Sequence, residues 1–209
     1  MPIHRVAQGE RVSSIAQLYG FADEKLIYDH PDNEELRKKR PDPNVLLEGD
    51  RVMIPDRALK EEECAAGEVH RFQVKRPRAV VKVVIKDRLG EPIADADYTF
   101  VVGKEERTGR TAGGLVEQPV PADAMSAKVL IPSLKLAMRL DLGHLDPHDE
   151  ATGAQQRLRN LRCYAGKVDG DIGPMTEAAI RVFQKAQGLD ETGALDDQTR
   201  DALKAQHGC

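Results

Sequence analysis

The sequence predicts an α+β, multidomain chain: a small βααβ module, a small antiparallel β-sandwich, and a three-helix C-terminal domain. Three observations predict it. Apolar residues recur at helical spacing near both ends, as Val12, Ile15, Ala16 and Tyr19 and as Thr176, Ala179, Ile180 and Phe183. Between the ends, short β-branched runs alternate with turn residues. Aromatic residues make up only 4% of the 209, with no Trp, which favours several small cores over one deep one.

Residues 1–56 form the first module. His4-Arg5-Val6 reads as a short strand, and Gln8-Gly9-Glu10 as a turn in which Gly9 can take positive φ. A helix follows from Val12 to Tyr19 and ends at Gly20. A second helical piece spans Glu24–Tyr28, and Gly49-Asp50 turns the chain into a closing strand, Arg51 to Ile54. The basic run Arg37 to Arg40 follows Glu34-Glu35 and reads as a solvated helix face. Residues 57–78 read as a charged linker, with an extended piece at Glu68–Val74 and a free thiol at Cys64.

Residues 79–142 carry the sandwich. Val80 to Ile85 is β-branched and nearly continuous, as for a buried strand. Tyr98–Val102, Leu115–Val120, Ala127–Ile131 and a looser Leu134–Leu142 give further strands, separated by turns at Leu89–Pro92 and Thr111–Gly114.

Residues 143–209 carry three helices. Thr152 with Gln155 fits a capping box, and Leu158 and Leu161 mark an apolar face. Pro174 suits a first helical position, Gly188 a C-terminal cap, and Asp196 or Asp197 the N-cap of the last helix. Leu158, Ile180, Phe183 and Leu203 should be core.

Composition excludes several functions. The net charge of −4 offers nothing to attract a nucleic acid backbone over the whole molecule. No stretch approaches the roughly 18 apolar residues of a membrane helix, and no apolar leader follows Met1, so cytoplasmic synthesis without a signal peptide is expected. Delivery to the periplasm or envelope, or export by a secretion machine, would then need another route. The cysteines Cys64, Cys163 and Cys209 form no CxxC pair, so no structural zinc is expected; a Cys163–Cys209 disulfide would tie down the tail in an oxidising compartment. His144 and His148 are four apart, but Pro147 breaks any helix that would align them, and they are expected on an exposed connector. Asp169-Gly170-Asp171 suggests a calcium loop only faintly, because Ile180 stands where the closing Glu would be. No catalytic residues, metal or cofactor are expected.

Several phrases resemble known families. Val6 to Glu10, Ile15 to Gly20 and Leu46 to Pro55 together resemble the LysM family over residues 4–55. That resemblance implies two helices on a two-stranded sheet. It also implies a shallow groove for N-acetylglucosamine-containing glycans, lined here by Gly9, Glu10, Arg11 and Val12 before the first helix and by His30 and Asn33 after the second. Arg11 departs from the family, placing a long cation where a small hydroxyl residue is usual, and the charged segment His30 to Asn44 resembles an insertion. A LysM scaffold used for protein docking is the other reading.

At the other end, Gln156 to Leu161, Val168-Asp169-Gly170, Gly173 to Ile180, Phe183-Gln184, Gly188-Leu189 and Thr192-Gly193 resemble the three-helix peptidoglycan-binding domains of cell-wall hydrolases. Tyr164, Asp169, Asp171, Thr176 and Gln184 are the candidate ligand contacts, read as exposed groups near the loop. The middle resembles transthyretin-like or carboxypeptidase-regulatory sandwiches. The whole, with its Gly143-His144-Leu145-Asp146-Pro147 lead-in, resembles accessory proteins of type VI secretion-like machines.

Two functions follow. One is a non-catalytic binder of the glycan or peptide of peptidoglycan, with two weak modules reinforcing each other through effective concentration. The other is an adaptor docking onto a contractile injection spike or phage-like baseplate. A cryptic hydrolase is a third reading. Nucleic acid and membrane insertion are not expected partners.

Overall fold

A computed structural model describes residues 1–57, 63, 65–71, 78–87 and 89–208. Cys64, Cys209 and residues 72–74 lie outside the described residues, so the extended piece expected at Glu68–Val74 is described only to residue 71, and the expectations on the two cysteines, including the Cys163–Cys209 pairing, lie outside as well. The fold is α+β, with six α-helices and eight antiparallel strands among the described residues. Two compact units divide the chain. The first joins Met1–Asn44 with Glu48–His144; the second joins Val45–Leu47 with the chain from Leu145 onward.

The first unit begins with β1 (Ile3–Arg5), α1 (Val12–Leu18), α2 (Lys25–Tyr28), a 3-10 turn (Pro31–Asn33), α3 (Glu34–Lys39) and β2 (Arg51–Met53). β1 and β2 pair antiparallel, Ile3 opposite Met53 and Arg5 opposite Arg51. The helical period of Val12, Ile15 and Ala16 puts all three in the core with Phe21, Ile27, Leu36, Val52 and Ile54. Gly20 takes φ +74, which ends α1 where a side chain would be strained.

The segment between α2 and β2 adds a third helix, and its basic run is not a uniformly solvated face. Lys38 is exposed and pairs with Glu34 one turn back. Arg37 instead turns inward and donates to the carbonyls of Tyr28 and His30. Arg40 is fully buried, its Nε 2.8 Å from Asp50 Oδ2, and its carbonyl accepts the Tyr28 hydroxyl at 2.6 Å. Charge patterning cannot separate these roles, because a guanidinium on a flexible stem reaches carbonyls that a sequence does not locate.

The rest of the first unit is a sandwich. One sheet pairs β3 (Arg78–Val84) with β6 (Leu115–Pro121); the other has the order β5 (Glu105–Arg110), β4 (Asp97–Val102), β7 (Ser126–Ile131), β8 (Leu136–Asp141). Phe100, Val102, Val116, Val120, Val129 and Ile131 fill the core, with Ala79, Val81 and Val83 packed against it. Two details differ from the sequence reading. β3 is not buried on both faces but alternates, leaving Val80, Lys82 and Val84 outward, because its sheet has only two strands and one covered face. β5 was unforeseen: Glu-Glu-Arg-Thr-Gly-Arg has almost no apolar signal, and it pairs as an edge strand, where charge is expected.

The second unit carries α4 (Ala151–Asn160), α5 (Pro174–Ala186) and α6 (Asp197–His207) around Ala154, Leu158, Tyr164, Ala179, Ile180, Phe183 and Leu203. Pro174 opens α5 and Asp196 caps α6, its Oδ1 accepting the Thr199 N–H at 2.8 Å. The expected capping box fails. α4 starts at Ala151 after Glu150, and Gln155 points into the core instead of back to an N-cap. Gly153 sits inside the helix because the Asp146 and Pro147 carbonyls pass over it; a Cβ there would come within 2.7 Å of the Asp146 oxygen.

The buried Arg40–Asp50 pair generates a stability prediction. Asp50→Ala removes the carboxylate that pairs with the buried Arg40 guanidinium and should cost about 3 kcal/mol, read from denaturant unfolding. Lys38→Ala, which breaks an exposed pair, should cost well under 1 kcal/mol. Equal effects would show that Arg40 is solvated in solution.

Candidate functional site

The second unit is organised around two buried glutamines. Gln155 is 0% exposed. Its Oε1 accepts the N–H groups of Asp169 (3.0 Å) and Gly170 (2.8 Å), and its Nε2 donates to Asp169 Oδ1 (2.9 Å) and the Asp171 carbonyl (2.9 Å). Thr176 Oγ1 lies 3.2 Å from the same nitrogen, and the Tyr164 hydroxyl donates to the Lys167 carbonyl at 2.8 Å. One amide thus sets the path of the loop between α4 and α5. Gln184, 1% exposed, repeats the device. It accepts the Gly193 N–H (2.9 Å) and donates to Thr192 Oγ1 (2.9 Å), Thr199 Oγ1 (2.9 Å) and the Ala194 carbonyl (3.2 Å). Amides suit the task because each offers two donors and a two-lone-pair acceptor.

This geometry sorts the candidate contacts. Asp169 and Asp171 are exposed on the loop. Thr176 and Gln184 are buried, which corrects their reading as exposed groups, and Tyr164 is buried as scaffold; the polar atoms of all three bond to the loop and its anchors. Gln155 was missed as an organiser, although its partner spacing leaves a trace: Gly170 precedes Thr176 by six positions, as Gly193 precedes Thr199 by six.

The candidate groove residues of the first unit also turn inward. Gly9 and Val12 are buried, and Glu10 Oε2 accepts from His4 Nε2 (2.7 Å) and from the Ala7 N–H (2.8 Å). Asn33, 1% exposed, clamps α2 to β2 by donating to the Ile27 and Met53 carbonyls and accepting the Met53 N–H, all at 2.8 Å. His30 is half-buried, its Nδ1 accepting the Asp32 N–H at 3.3 Å. Arg11 is 5% exposed and donates through Nη2 to the carbonyls of Ala122 (2.7 Å) and Ala124 (3.0 Å). Burial pulls its guanidinium below the ordinary value, against the raising influence of Asp123 and Glu24. Burial likewise raises the Glu24 carboxyl, with Asp23 adding to the effect.

Titrating groups give the second unit an acid profile. The Gln155 hydrogen bond, then the Asp171 N–H, hold the Asp169 carboxyl below the usual range, and the Thr199 contacts do the same for Asp196. Burial depresses His148, with Lys204 and Arg157 adding to it, and burial also depresses His207. His144 and His148 are half-buried rather than on an exposed connector, and the His148 carbonyl accepts from Arg200 at 3.1 Å. Burial raises the pKa of the Cys163 thiol, which makes that thiol a poor nucleophile. Among the described residues no group of three or more His, Cys, Asp or Glu is placed to hold a metal ion. No helix of the described residues is long and apolar enough to cross a membrane.

Two predictions follow from this site. Gln155→Leu should destabilise the second unit by about 3 kcal/mol, because the loop donors and acceptors lose their buried partner; hydrogen exchange should show the Asp169 and Gly170 amides losing protection first. Stability should fall with acid in two windows. Groups with depressed folded pKa values contribute above their unfolded values and lose that contribution as pH falls through the folded ones. For His148 and His207 the loss begins below about 6.5, and for Asp169 and Asp196 below about 3.9. Thermal unfolding between neutral and strongly acid pH checks both, and a flat profile through the upper window would remove the histidines from the account.

Comparison with known proteins places a family on this unit. No curated protein and no solved structure matches the chain. Residues 147–203 match the family model described as "Putative peptidoglycan binding domain", which supports a peptidoglycan-binding role for the protein.

Proposed function

We infer that the protein is a non-catalytic binder of bacterial cell-wall peptidoglycan, and that the second unit makes the contact. The match of residues 147–203 to a peptidoglycan-binding family carries this reading. The buried glutamines support it physically. They fix the loop from Tyr164 to Gly173 before any ligand arrives, so binding forfeits little loop entropy. Asp169 and Asp171 are then the exposed polar groups on that loop available to sugar hydroxyls or peptide amides. Such a role puts the site of action at the cell envelope, and delivery there by a secretion machine is part of the proposal.

A second reading draws on one observation. The residues of 4–55 that resemble a LysM groove are committed to internal contacts, Arg11 and Asn33 above all. A LysM-type module used this way is a scaffold, which favours an adaptor docked on a contractile injection spike or phage-like baseplate.

Co-sedimentation of the full chain with insoluble sacculi separates the readings. Wall binding predicts micromolar pelleting, release by soluble muropeptides, and about fivefold weakening in Asp171→Ala, the effect of one lost hydrogen bond. Absence of pelleting would sink wall binding and leave the adaptor.

A further inference from the structure

The connection between β6 and β7, Ala122 to Met125, lies over the start of α1. Arg11 Nη2 donates to the carbonyls on both sides of Asp123, and Gln17 Nε2 donates to Asp123 Oδ2 at 2.9 Å. Three consecutive residues of a four-residue connection are thus gripped from α1 and the residue before it. The preceding turn closes the same seam. Gly9 takes φ +87, and a Cβ on it would meet Met125 Cε at 2.6 Å and His144 Cε1 at 3.2 Å. A Cβ on Gly143 would run into the Gly9 carbonyl. Glycine at both positions lets the two backbones meet without a gap.

The grip has an unusual composition. Arginine is seldom this deeply buried; here the guanidinium's Nη2 bonds to neutral carbonyls, Asp123 and Glu24 act on it only through space, and its Nε stays buried without a hydrogen-bond partner. Ser14 fixes the backbone beneath it: its Oγ accepts the Arg11 N–H at 2.9 Å and donates to the Arg11 carbonyl at 2.8 Å. A small hydroxyl residue at position 11 would leave this seam without its charged anchor. The long cation reaches across it and fills it.

We propose that the Ala122–Met125 connection is a built-in plug, latched by Arg11, that covers the side of the N-terminal module's groove formed by the turn before α1 and excludes external ligands from it. The proposal rests on reading residues 4–55 as a LysM-type module, because that reading defines the groove before the first helix. It assigns Arg11 a gating role, and it leaves wall binding to the second unit in the resting protein.

The test uses the full chain, wild type against Arg11→Ala, with hydrogen exchange followed by mass spectrometry and a titration with the N-acetylglucosamine hexamer. Both segments, 10–14 and 122–126, should exchange at least about tenfold faster in the variant, as expected when charged hydrogen bonds are lost. Phe100 and Val129, in the sandwich core, should keep their protection. The hexamer should bind the variant at least about tenfold more tightly than the wild type. If Arg11→Ala does not fold, Arg11→Lys carries the same comparison, since it keeps the charge and loses the planar fork. Unchanged exchange, or loosening of one segment alone, overturns the latch. Wild-type binding of the hexamer as tight as the variant's overturns the plug. Faster exchange in both segments with no hexamer bound by either protein upholds the latch alone and overturns the plug together with the glycan reading of residues 4–55.

Discussion

A buried polar side chain is stable only where hydrogen-bonding groups meet it at fixed places, and that constraint shapes both units. Gln155 and Gln184 each hold a loop in this way, Asn33 ties a helix to a strand, Arg40 pairs with Asp50, and Arg11 bridges segments far apart in sequence. The cores are small: the second unit buries only seven apolar side chains in its central cluster. Apolar burial is non-directional and cannot by itself choose one loop path. Buried hydrogen bonds can, because a misplaced loop leaves a polar group unpaired at a cost of about 1–3 kcal/mol. The polar residues therefore select the conformation that the apolar residues merely compact.

The same device has opposite consequences at the two ends. In the second unit the anchors lie beneath the loop: one Asp169 oxygen bonds back to Gln155, while Asp169 and Asp171 as residues remain exposed. The loop is rigid and presented. In the first unit the anchor Arg11 points out of its own helix start and into the sandwich connection. There the anchored side chain joins the helix start to the sandwich connection and presents nothing outward. An anchored, presented loop suits recognition with little entropic penalty.

Much of the architecture was legible in the sequence because its signals are local. Gly20, Pro174 and Asp196 mark helix ends through backbone angle, missing N–H and side-chain cap, and each acts within a few residues of itself. The strands with β-branched runs were legible for the same reason. β5 was not, since an edge strand such as Glu105–Arg110 owes its pairing to β4 and carries no apolar alternation of its own. β3 was read as doubly buried because a β-branched run reports strand propensity, and burial depends on how many strands lie beside it.

The candidate site was harder to read, for a related reason. Exposure was assigned to Thr176 and Gln184 from polarity, yet each has a partner 15 or more residues away that takes it inside: Gln155 lies 21 positions from Thr176, and Thr199 lies 15 from Gln184. Arg11 reaches a carbonyl 111 positions on. A single sequence encodes such pairings only where it repeats itself, as the Gly-to-Thr spacing at 170–176 and 193–199 does. The departure of Arg11 from the LysM-like pattern was visible, but its meaning was not, because a long cation at a groove edge reads as ligand-facing until the carbonyls of Ala122 and Ala124 are in view. Arg11, which breaks the LysM-like pattern, is where an element distant in sequence meets the start of α1, and the carbonyls of Ala122 and Ala124 receive its guanidinium.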